Sequence, residues 1–171
     1  MNIPNFSFRK SCCSSFIDLP PAVAGCGELG FASPAAAQTA AAASAIAGLT
    51  NVGTDHRAWL GADRPAIARD KGRALAAATR AVLGPGVRAD IVAELGAPSA
   101  VNAASVARCA ALGGGRVRCG WGAVDTELAL PLAGRHQLDN LQLALALCVE
   151  AAAEGWLEAL EPEAVTAAIA G

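Results

Sequence analysis

SAIAGLTNVGTDHRAWLGADRPAIARDK, from Ser44 to Lys71, is the stretch from which the fold is read. SAIAGLTNV is an apolar run of strand length that ends at Gly53, whose backbone can turn the chain sharply. His56 follows just past the C-terminal end of that strand. Asp63 is placed to cap the next helix, and Pro65 is tolerated in its first turn. Ile67, Leu75, Ala78 and Val82 recur at helical spacing until Gly84-Pro85-Gly86 stops the pattern. Lys71 falls mid-helix.

Further along come a strand-like RADIVAEL (88–95) and a helix from Ser99 to Leu112 ended by three glycines. Two more strand-like runs follow, around RVRCGW (116–121) and TELALPL (126–132). A helix then begins near His136 and reaches Ala153, and a short one runs from Pro162 to Ile169. Strands alternating with helices predict an α/β layer in which the loops after strand C-termini gather ligand chemistry. Before this unit the composition differs. All four phenylalanines lie within the first 31 residues, with Lys10 and four of the eight serines, and the change comes near residue 35. Residues 1–35 are read as an atypical, poorly ordered N-terminal segment, and 36–171 as the folded unit. There is no internal repeat, and the alanine tract at 35–45 is the only low-complexity stretch.

The 171 residues, 54% hydrophobic, suffice for one domain with a sizeable core. Much of that apolar content is alanine and only 4% is aromatic, which favours helix over thick sheet cores. A net charge of -2 without blocks of like charge excludes a nucleic-acid surface, which needs clustered Lys and Arg to displace counterions. The six cysteines, at 12, 13, 26, 109, 119 and 148, form no C-x-x-C pair. Neither a zinc ribbon nor a thioredoxin-type motif is present, and the plain reading is scattered reduced thiols. Asp18 and Pro20-Pro21 interrupt the one stretch that might pass for a secretory signal, and the run from Phe31 to Leu49 is too weakly apolar for a membrane span. A cytoplasmic protein is expected.

Two side chains in the opening stretch can carry chemistry. A neutral imidazole at His56 could bind a divalent cation or move a proton; the plainer alternative is a hydrogen-bonded loop histidine. Lys71 could be an ordinary solvated helix lysine. Composition argues otherwise, because the chain holds eleven arginines and only two lysines. A retained lysine points to a need for an amine that can lose its proton, as guanidinium cannot. Such an amine can also react with carbon dioxide, and the resulting carbamate is a carboxylate-like ligand.

DHRAWLGADRPAIARDK, Asp55 to Lys71, resembles the D-H-x-x-W-L-G-x-x-R-x-x-I-A-R-[ED]-K pattern of the folylpolyglutamate synthase and dihydrofolate synthase family, within the Mur ligase superfamily. LPLAGRHQLDN, residues 130–140, is similar to that family's L-P-L-x-G-x-H-Q-x-x-N segment. The resemblance covers roughly residues 43–171 and implies the later half of a three-layer-type central ATPase domain, helix-rich and incomplete. It implies a ligase of folate and one-carbon metabolism. In such an enzyme ATP phosphorylates a pteroate or folate carboxylate, and the amino group of glutamate attacks the acyl phosphate. ATP and Mg2+ are the implied cofactors. His56 matches the histidine that holds magnesium, Lys71 the carbamylated lysine that supports the metal, and Asn140 the asparagine that contacts ATP. His136 stands on the first turn of the same helix. The implied partners are small molecules (dihydropteroate or folate, glutamate and ATP), for a monomeric enzyme with no nucleic-acid or membrane partner.

The sequence also departs from the family. Its T-x-G-K-G-S phosphate loop has no counterpart, since the two lysines are Lys10, in FRKSCC, and Lys71. The E-V-G-L-G-G-R-L-D-A-T-N stretch is not recognisable either, and Glu28 in GELGFASPAAAQT is not assigned as a ligand. The family's C-terminal domain, which completes the ATP and glutamate sites, is expected beyond Gly171. Two alternatives stand beside the folate reading: another Mur-type amino acid ligase of cell-wall synthesis, and a non-catalytic α/β fragment or pseudoenzyme.

Overall fold

The computed structural model describes residues 16–19, 46–53, 63–130 and 134–170. The strand read from SAIAGLTNV is β2 (Ile46–Leu49), buried along its whole length. A strand covered on both faces needs consecutive apolar residues, not an alternation with polar ones. Its neighbours in the sheet flank its edges. β2 pairs antiparallel with β1 (Phe16–Leu19) and parallel with β3 (Arg80–Leu83), with Ile46 opposite Arg80 and Leu49 opposite Leu83. β4 (Val101–Asn102) adds to the far side of β3, giving the order β1-β2-β3-β4.

Between β2 and β3 runs α1 (Arg64–Ala77), which makes them a parallel pair joined by a crossover helix. Asp63 occupies the N-cap position and Pro65 the first turn, as read; no side-chain bond closes the cap. Side chains alternate across the sheet. Ala47, Leu49, Ala81 and Leu83 join one cluster with Ala68 and Leu75 of α1, Ile91 of α2 (Ala89–Val92), and Leu95 of the 3-10 turn that follows. Ile46 and Val82 belong to a second cluster with Leu143 and Leu147 of α4 (Arg135–Ala153). Helices α1 and α4 thus cover opposite faces of the parallel strands, the three-layer arrangement expected.

After α3 (Ala103–Val106) comes a second sheet, β5 (Ala107–Gly113), β6 (Arg116–Trp121) and β7 (Val124–Ala129), paired antiparallel in sequence order. The turn between β5 and β6 holds Gly114 and Gly115, both at positive φ (59° and 73°), the conformation that suits the twist of a tight hairpin and that glycine adopts without strain. This sheet packs on the other side of α4: Val117, Cys119, Trp121 and Leu128 share the cluster of Leu143 and Leu147. Gln142 Nε2 donates to the Ala107 carbonyl at 2.8 Å. α5 (Pro162–Ala170) packs on β7, and Trp121 Nε1 donates to the Leu160 carbonyl at 3.0 Å.

Three expectations need correction. The helix read through Val82 ends at Ala77, and Val82 lies in β3, wholly buried. RADIVAEL is not a strand: it forms α2 and the 3-10 turn, with Ile91 and Leu95 buried four residues apart. The helix read over 99–112 is one turn, α3, followed by β5. Within residues 1–35, Phe16–Leu19 forms β1. Among the described residues no helix is long and apolar enough to cross a membrane.

Candidate functional site

Parallel β2 and β3 end together at Leu49 and Leu83. Gly84 N donates to the Leu49 carbonyl at 2.7 Å, and a Cβ at Gly84 would stand 2.8 Å from the Thr50 carbonyl oxygen. Only glycine lets the two chains leave the sheet this close together. Thr50–Gly53 continues from that edge toward His56, which lies outside the described residues.

Two contacts fix the direction of α4. Arg80, the first residue of β3, donates through Nε to Glu154 Oε1 at 2.6 Å, just past the last residue of α4. Gly48 faces Leu147, and an added Cβ there would come within 2.7 Å of Leu147 Cδ1. The helix therefore runs antiparallel to β2 and β3. From Leu147 back to Asn140 it rises about 10 Å, which carries its first turns past the C-terminal ends of the strands. His136 and Asn140 are both exposed there, and their spacing of four residues puts them on one side of the helix.

The start of α4 explains the glycine two residues before His136. Gly134 is the N-cap, at φ 115°, and its carbonyl accepts from Gln137 N at 3.0 Å. A Cβ on Gly134 would stand 2.7 Å from Cε1 and 2.9 Å from Nδ1 of the His136 ring. The imidazole lies over the position a side chain would fill.

Lys71 is half-buried, seven residues into α1. Its place on the helix sets it among Ile67, Ala68 and Leu75, all at most 1% exposed, and so on the stripe that faces the sheet. Helical side chains lean toward the N-terminus of their helix, which for α1 is the end at which β2 and β3 stop. α1 and α4 cover opposite faces of the sheet, with Lys71 on the one and His136 and Asn140 on the other. Among the described residues no group of three or more His, Cys, Asp or Glu side chains gathers as a metal cage.

Compared as a sequence, the chain matches no protein-family model and no curated protein. Solved structures do match. A mutant of L. casei FPGS (folylpolyglutamate synthase) superposes at a TM-score of 0.59 and 23% identity, covering 75% of this chain and 34% of that one. The apo form of L. casei FPGS gives 0.57 at 23% identity, over 75% and 33% of the two chains. An FPGS–AMPPCP–folate complex gives 0.56 at 22% identity, over 74% and 33%. The chain carries part of the FPGS fold. It spans about a third of the length of the FPGS structures it matches. At these identities the likeness is one of fold.

Sequence reasoning missed the contact between Cys109 and Cys119. The two lie equally far from Gly114, so a hairpin turning there sets them opposite each other. Reading 99–112 as helix hid that symmetry.

Proposed function

We propose that this chain is part of an ATP-dependent carboxylate–amine ligase of the folylpolyglutamate synthase and dihydrofolate synthase type. The observation that carries the reading is the shared end of the sheet. Strand β2, which the D-H motif follows in sequence, and helix α4, which starts within the G-x-H-Q-x-x-N motif, meet at the C-terminal edge of β2 and β3, where open α/β sheets bind ligands. The AMPPCP and folate of the FPGS complex support a nucleotide and a folate as ligands of the whole enzyme.

In this reading Asn140 contacts ATP, with His136 beside it on the exposed first turns of α4. His56 and a carbamylated Lys71 hold Mg2+, a hard cation that takes oxygen ligands readily and offsets charge on a transferred phosphoryl group. ATP phosphorylates the acceptor carboxylate, and glutamate's amine displaces phosphate from the acyl phosphate to form the amide. Dihydropteroate and folate are both acceptors of the right class.

Isothermal titration with Mg-ATP tests this on a chain shown to be folded by circular dichroism. Binding is expected, with Asn140→Ala weaker by about tenfold, the equivalent of one lost hydrogen bond to a charged ligand. A folded chain that gives no heat with Mg-ATP would refute the ligase reading for this chain and leave the non-catalytic one.

A further inference from the structure

Cys109 on β5 and Cys119 on β6 are directly opposed in the antiparallel ladder, and their sulfur atoms stand 3.0 Å apart. Both are free thiols. Opposed residues of an antiparallel pair bring their Cβ atoms to within about 4.5–5.5 Å, close to the separation a disulfide spans. Closing the remaining sulfur–sulfur gap takes about 1 Å of movement, which side-chain torsions can supply without moving the strands. Exposure divides the pair. Cys119 is 1% exposed and sits in the core with Val117 and Trp121, whereas Cys109 is only half-buried, packed at the edge of that core. The third described thiol, Cys148, is on α4 and has no sulfur neighbour among the described residues.

We propose that Cys109 and Cys119 form a thiol–disulfide exchange site that closes reversibly on a low-molecular-weight disulfide such as glutathione disulfide. Cys109, as thiolate, attacks one sulfur of the small disulfide, forming a mixed disulfide and expelling one small thiolate. Cys119 then attacks the Cys109 sulfur and expels the second. The two protein thiols lose two electrons and two protons, and the small disulfide is reduced to two thiols. The sulfur contact divides the two steps: a hydrogen bond from Cys109 draws Cys119 toward the thiolate form and favours the second, while the same bond and burial push the Cys109 thiol up and make the first the slow one.

Trypsin reads the outcome directly, because cleavage after Arg108, Arg116, Arg118 and Arg135 places the two cysteines in separate peptides, 109–116 and 119–135. After incubation of the folded chain with glutathione disulfide and alkylation of remaining thiols, these peptides are expected as one linked species about 2 Da below the sum of their reduced masses. Dithiothreitol should return both to alkylatable form. Cys119→Ser is expected to stop at a glutathione adduct on Cys109. If wild-type Cys109 instead keeps a stable glutathione adduct while Cys119 remains alkylatable, or if both thiols alkylate fully, the proposal is wrong.

Discussion

Lys71 shows how much a single position says once its surroundings are known. In the sequence it is notable because arginine is the rule and lysine the exception; in the fold it lies within the apolar stripe of α1. Burial near the sheet favours a residue whose charge can be removed or reversed over one that is always cationic. The carbamate reading makes a direct prediction. With labelled bicarbonate the folded chain should give a carbamate carbon resonance, and Lys71→Arg should remove it while circular dichroism stays unchanged. A resonance of equal intensity in the variant would assign the carbamate elsewhere. At the start of α4, Gly134 leaves the room that the His136 ring takes up. His56 was singled out from its neighbours in sequence, and it falls outside the described residues.

At the level of elements, α1 carries a glycine that runs against the usual rule. Gly→Ala in a helix interior normally gains up to about 1 kcal/mol. At Gly72 the added Cβ would sit 1.7 Å from the Leu95 carbonyl oxygen, a backbone atom that cannot swing aside. Gly72→Ala is therefore expected to destabilise, by about 2 kcal/mol net after overpacking is set against propensity, which for a chain of this size lowers Tm by roughly 6 °C. A raised Tm would mean that the 3-10 turn does not press on α1. The misread elements share one physical origin. Val82 continues the helical spacing of Leu75, and no glycine or proline marks the end of α1 at Ala77, so local pattern alone extends the helix. Parallel pairing with β2 decides against it. RCAAL, within β5, is alanine-rich enough to read as helix, yet Ala107 and Cys109 turn inward while Arg108 and Ala110 stay exposed, the period of a strand set by pairing with β6. By contrast β2, β6, β7, α4 and α5 were legible, because their pattern and their punctuation agree.

For the molecule as a whole, the described residues divide their apolar interior into two clusters that meet across the parallel sheet. The second of them belongs to neither sheet alone. Ile46 and Val82 reach α4 from one side, and Val117, Cys119 and Leu128 reach it from the other, while Arg80 and Glu154 tie the far end of the helix to β3. Helix α4 is thus the body through which the parallel strands and the hairpin strands are joined, and it also presents His136 and Asn140 at its opposite end. Amide hydrogen exchange should register this arrangement. The slowest amides of β2 and β3 and those of β6 are expected to report one common opening free energy, and Leu147→Ala, which hollows the helix where it meets Gly48, should lower both by the same amount, about 2–5 kcal/mol. Two distinct opening energies, with only the parallel strands responding to the substitution, would mean that the halves breathe separately.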